Sequence, residues 1–146
     1  MKQALAVACT LSAFVVSGAE SRVRMQDLPE AVQRTVKQQT KTAKLRGLAK
    51  QVEDGQTFYE AETVLNGKAR DVVIDAAGAV AEVEEATSLA SVPGPVQKAF
   101  VSAAGGGKVL TVETVTKGSV VSYEATIQKG GKKSEIAVNG DGTLRK

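Results

Sequence analysis

The sequence predicts an α+β fold: a tandem repeat of a helix packed on a small antiparallel sheet of about four strands. Two observations carry this expectation. Apolar spacing typical of a helix gives way to strict alternation twice along the chain, and the two stretches align without a gap at an offset of 64 residues. At that offset Pro29 falls on Pro93, Val32 on Val96, Gln33 on Gln97, Lys44 on Lys108, Tyr59 on Tyr123, Glu60 on Glu124, Ala61 on Ala125, Gly67 on Gly131, Lys68 on Lys132 and Gly78 on Gly142. Fixed-period self-similarity is the mark of duplicated supersecondary units. The expected organisation is a leader over residues 1–19, a first copy over 20–88 and a second over 89–146.

The leader is read from Lys2, an apolar run from Ala4 to Val16, and the small residues Ser17, Gly18 and Ala19. This is the order of a secretory signal peptide, with cleavage expected after Ala19. The run is shorter than the roughly 20 apolar residues that span a bilayer, and no other stretch is long enough, so no transmembrane segment is expected in the mature chain. Cys9, the only cysteine, lies within the leader. The mature fold must therefore hold together by burial alone, although export, to the periplasm or outside the cell, would permit disulfides.

Each copy begins with a helix. Leu28, Val32 and Val36 recur at i, i+4 and i+8, with Ala43 continuing the stripe and Gln33, Arg34, Lys37 and Lys41 elsewhere, an amphipathic pattern. Asp27 is placed to cap the start, with Glu30 three residues on and Pro29 tolerated in the first turn. Val92, Val96 and Phe100 repeat the stripe, and Pro93 and Pro95 confine that helix start to their own neighbourhood.

The period then changes to two. Tyr59, Ala61, Thr63 and Leu65 alternate with Phe58, Glu60, Glu62 and Val64, and Tyr123, Ala125 and Ile127 alternate with Ser122, Glu124, Thr126 and Gln128, which predicts strands with the Tyr-Ala side buried. Asn66-Gly67 and Gly130-Gly131 predict two-residue hairpin turns, because these residues tolerate positive φ. Further strands are expected near 45–52, 108–115, 72–74 and 136–138, with final short strands near 79–84 and 143–145. A module of about 60 residues buries only about 60% of its unfolded surface and is marginal alone, so the two copies are expected to pack together or to share a sheet.

Chemically, the most informative feature is what the chain lacks. It contains no histidine and no tryptophan, and its one cysteine is in the leader. That removes a Ser-His-Asp triad, a cysteine nucleophile and the usual zinc sites, so the chain is read as a non-enzyme without a cofactor. Glu60 and Glu62 share one strand face, Glu82, Glu84 and Glu85 follow the first turn, and together they read as a solvated sheet face; a glycosidase pair must face across a cleft. Residues 75–78 and 139–142 lack the ligand series of a calcium loop and read as turns. Gly105-Gly106-Gly107-Lys108 lacks the Walker spacing and reads as a helix-to-strand connector.

Charge is distributed unevenly. Residues 22–50 carry eight basic and two acidic side chains, whereas 51–91 carry two basic and nine acidic. Arg34, Lys37, Lys41, Lys44, Arg46 and Lys50 form a basic cluster that could meet an anionic envelope polymer. The mature chain's net charge of about +2, from 18 basic and 16 acidic residues once Lys2 is removed, is far from that of a dedicated nucleic-acid binder. Its few aromatics offer little for base stacking.

The repeated set Leu28-Pro29-x-x-Val32 and Val92-Pro93-x-x-Val96, then Tyr59-Glu60-Ala61-Glu62 and Tyr123-Glu124-Ala125-Thr126, then a Gly-Lys hairpin and the turn glycines Gly78 and Gly142, resembles the PepSY-like family, also described as β-lactamase-inhibitor-like. The resemblance implies exported modules of a helix on an antiparallel sheet that bind or inhibit other proteins, often peptidases or other hydrolases. Copy one departs from the family's acidic turn, having Asp75-Ala-Ala-Gly78. The function expected is thus a non-catalytic module that binds an unidentified protein in the envelope or outside the cell. Its expected contacts are Phe58, Glu60, Glu62 and Val64 with Ser122, Glu124, Thr126 and Gln128. The alternative is a structural or sensing protein that docks weakly on anionic polymers through a basic helix face.

Overall fold

The computed structural model describes residues 20–145; the expected leader, its cleavage site and Cys9 lie outside them. The chain runs β1 (Ser21–Arg22), α1 (Glu30–Gln39), β2 (Lys44–Glu53), β3 (Gln56–Leu65), β4 (Lys68–Asp75), β5 (Val80–Thr87), α2 (Gly94–Ala104), β6 (Lys108–Lys117), β7 (Val120–Lys129) and β8 (Lys132–Asn139), with single 3-10 turns before each helix.

The architecture corrects the expected one. The strands do not form two small sheets, each with its own helix; they form one eight-stranded sheet in which order in space equals order in sequence. Every pairing is antiparallel. The decisive contact is β5 against β6, with Val83 opposite Thr116, Glu85 opposite Thr114 and Thr87 opposite Val112. Two separate sheets would each leave another edge of unpaired N–H and C=O groups in water. Pairing those edges satisfies the backbone and merges the sheets, something no property of either copy alone reveals.

Both helices lie on one face of this sheet. Leu28, Val32 and Val36 pack on Leu48, Ala61, Val72 and Ile74, with Tyr59 and Val83 at the margin. Val92, Val96 and Phe100 pack on Val112, Ala125 and Val138, with Tyr123 and Ile136 at the margin. The register joins the two cores, because Val72 opposes Val83 and the Val83, Glu85, Thr87 side of β5 opposes the Val112, Thr114, Thr116 side of β6. The buried Tyr-Ala face read from the alternation is therefore correct. Each fully buried valine or phenylalanine contributes about 1.5–3 kcal/mol.

The helix ends differ from expectation. Asp27 does not cap α1; it sits in the preceding 3-10 turn and pairs with Arg24 at 2.8 Å. Pro29 and Pro93 are the N-cap residues, in extended conformation, and neither supplies a side-chain hydrogen bond. Ala43 is buried but lies beyond α1, which ends at Gln39. The C-terminus of α2 closes on Gly105 in the left-handed region, so the glycine run is the helix-to-strand connector expected.

The hairpins follow their turn residues. Asn66 and Gly67 both have positive φ, as do Gly130 and Gly131 and, at the β2–β3 turn, Asp54 and Gly55. Such φ values match the twist of flanking strands. A ninth strand at 143–145 is not formed; only an isolated bridge joins Leu144 to Val138. Asp75 holds the β4–β5 turn by accepting the backbone N–H groups of Ala77 and Ala79, both at 2.9 Å.

Candidate functional site

Strand parity sends alternate side chains of the sheet away from the helices, onto a face that no described helix or strand covers. Phe58, Glu60, Glu62 and Val64 of β3 all lie there, as do Ser122, Glu124, Thr126 and Gln128 of β7; cross-strand pairing puts Glu60 opposite Ala49 and Val73, and Glu124 opposite Glu113 and Ala137. The two groups are not neighbours, since β4, β5 and β6 separate them. Between them lie Asp71 and Val73 on β4 and Glu113 and Val115 on β6, which the sequence did not single out, and Glu82 and Glu84 on β5, which it reads as a solvated sheet face and not as contacts.

The face carries acidic groups on neighbouring strands. Glu62, Asp71 and Glu84 stand directly side by side across β3, β4 and β5, and Glu113 opposes Glu124 on β6 and β7. Like charges placed directly opposite destabilise a sheet. The lysines of this face, Lys44, Lys108, Lys117 and Lys133, sit at or next to strand ends, so the middle remains acidic.

It is also not the solvated surface expected. Asp71, Glu82 and Glu84 are only 5%, 4% and 7% exposed, and Ala49, Val73, Val115, Ser122 and Thr126 are buried as well. Burial without a covering layer means that the twisted sheet curls around this face and its central side chains shield one another. Two carboxyls of this face, Glu60 and Glu113, respond to burial by rising. Glu60 is pushed up to about 7, first by burial and then by Asp71, Glu20 and Glu62, with Arg22 opposing. Glu113 is also raised to about 7, by burial and then by Asp71, Glu124 and Glu135.

Two devices hold this arrangement. Asp71 accepts a hydrogen bond from the Thr63 backbone N–H at 3.2 Å. Arg22 on β1 places its Nη1 2.6 Å from Glu62 Oε1, above Gly47, where a Cβ would stand 2.5 Å from Glu62 Oε2 and 2.7 Å from Arg22 Nη1. Gly47 sits at a β-bulge between Leu45 and Gly47; its missing side chain is the space that the ion pair occupies.

The expected basic helix face is not formed as such. Arg34 and Lys37 belong to α1, Lys41 follows it, and Lys44, Arg46 and Lys50 belong to β2. Arg34 is drawn toward Glu30 at 3.7 Å. Among the described residues no three His, Cys, Asp or Glu side chains converge to hold a metal ion, and no helix is long and apolar enough to cross a membrane.

No protein-family model matches the chain, and no curated protein matches it. Solved structures do. A Bacteroides eggerthii protein provisionally assigned to the periplasm matches with a TM-score of 0.66 at 23% identity, over 82% of this chain and 86% of that one. The chain shares their fold. A DUF2874 family protein of Bacteroides ovatus gives 0.62 at 24% identity, covering 82% and 85%, and a BLIP-like protein of Bacteroides fragilis gives 0.58 at 20% identity, covering 82% and 84%.

Proposed function

We propose that this chain is a periplasmic, non-catalytic binding protein that seats another protein on the uncovered, curled face of its sheet. The observation that carries the reading is the state of that face: a row of carboxylates, Glu62, Asp71 and Glu84, set side by side on β3, β4 and β5 with the central side chains already withdrawn from water. An arrangement that costs stability in the free protein is expected where a partner compensates for it. The half-buried Phe58 and Val64 at one flank, and the half-buried Gln128 at the other, supply the apolar and hydrogen-bonding contacts of such an interface, with the buried Ser122 and Thr126 beneath them.

Periplasmic action is supported by the leader-like residues 1–19 and by the fold shared with a protein provisionally assigned to that compartment. A binding role is supported by the fold shared with a BLIP-like protein. Inhibition of a bound peptidase or other hydrolase is the form we favour, since a protein whose described residues include neither histidine nor cysteine acts on an enzyme most simply by covering it. Docking on anionic polymers is less favoured, because the basic residues are divided between α1 and β2 and no single helix presents them.

The test is affinity capture from an envelope fraction with the parent chain and with Phe58→Ala and Glu124→Lys variants. One enzyme recovered by the parent, lost with both variants and inhibited in the complex is the expected result. Capture that both variants leave unchanged would refute the assignment of this face.

A further inference from the structure

Resting on that reading, we infer that the segment received by the curled face is cationic: a loop or chain end of the partner that presents arginine or lysine side chains to the carboxylates of β3 to β6.

Charge complementarity is the first support. Three carboxylates stand abreast at Glu62, Asp71 and Glu84, with Glu113 beside the seam on β6, and the face's own lysines are kept to strand ends. The second support is independent of the count of acids. Glu82 lies opposite Val73, on the same face, is 4% exposed, and among the described residues receives no hydrogen bond or ion pair. A buried carboxylate left without a partner is costly, and a donor brought by a ligand removes that cost.

The chain itself shows what such a donor does. Arg22 reaches over Gly47 onto Glu62 at 2.6 Å, at the β1 edge of the acidic field. A guanidinium suits this setting because its planar fork satisfies carboxylates with charge-assisted hydrogen bonds. The absence of three convergent ligand groups among the described residues favours a cation carried on a flexible side chain over a bare metal ion.

The experiment uses the full chain, expressed with its own leader and purified as the cell processes it. The probe is an acetylated tetra-arginine amide, with tetra-glutamine as control, followed by backbone amide shifts. The expected result is a set of shifts confined to β3 through β6, with affinity falling about tenfold between about 20 and about 200 mM salt. Glu82→Gln, which keeps shape and removes charge, is expected to weaken binding at least about fivefold with a urea midpoint no lower than the parent's; Glu113→Gln provides the second reading if the first variant is unstable. Shifts scattered over other surfaces, or binding indifferent to both substitutions, would overturn the inference. An envelope partner that depends on Phe58 but is insensitive to Glu82→Gln and to salt would overturn it too, while leaving the docking face intact. If the parent captures no partner at all, the docking reading itself fails.

Discussion

Gln33 and Gln97, 64 positions apart, make the same hydrogen bond: each side-chain amide reaches back to the carbonyl five residues earlier, Leu28 at 3.0 Å and Val92 at 2.9 Å. Each thereby fixes the segment entering its helix, where the proline N-cap offers no side-chain oxygen. The glutamine takes over part of the task that the sequence assigns to Asp27.

Gln33→Ala and Gln97→Ala are each expected to cost about 0.5–1.5 kcal/mol, the usual worth of such a bond. Because the helices sit on separate core clusters, the double variant is expected to be additive to within about 0.5 kcal/mol. Urea unfolding of the three variants checks both expectations; a Gln33→Ala protein as stable as the parent would show that the bond contributes nothing.

Gly78 and Gly142 combine a positive φ with a close approach to backbone. Their φ values are +90° and +82°, and an added Cβ would stand 2.8 Å from the backbone of Ala31 and 2.6 Å from the Pro95 carbonyl oxygen. Backbone in a helix start cannot withdraw as a flexible side chain can. Alanine at either position is expected to cost about 2–4 kcal/mol, from positive-φ strain plus overlap. Gly67 is the control, with φ of +79° but no atom within 4 Å of the added carbon, and is expected to cost only about 1 kcal/mol. Equal midpoints for Gly67→Ala and Gly78→Ala would remove the close approach as the cause.

The raised carboxyls make a signed pH prediction. Glu60 and Glu113 ordinarily titrate near 4.5 and are raised to about 7 in the folded chain. Between those values the native state holds more protons than the unfolded one, so stability falls as pH rises. Each contribution is fully present below about 4.5 and is lost as pH climbs through about 7. Glu60→Gln and Glu113→Gln imitate the protonated form; each is expected to gain on the order of 1–3 kcal/mol over the parent at about pH 8 and almost nothing at about pH 4. Urea midpoints across that range measure the difference, and a gain independent of pH would mean that these carboxyls do not titrate there.

Much of this was legible in residues with only local duties. Asn66 and Gly67 fix a turn, the turn fixes which residue of β3 opposes which of β4, and from Tyr59 outward the buried side follows. The same logic places Glu60 and Glu62 on the uncovered face, and extending it through the Asn66-Gly67 hairpin would have put Asp71 beside Glu62. The join between Val83 and Thr116 was not legible, because no turn links β5 to β6; a helix intervenes. Without that join the acidic field looks like two unrelated strand surfaces, and the burial of Glu82 and Glu84, which depends on the curl of the whole sheet, leaves no local trace.

The order of the sheet has a consequence for how the protein comes into being. Since each strand's neighbours are the strands before and after it in the chain, pairing can begin at the N-terminal side and advance strand by strand, without any segment waiting for one far downstream. Such local closure is entropically cheap and kinetically fast. A polypeptide delivered end first through a narrow channel into a compartment without ATP could assemble in the order of its arrival.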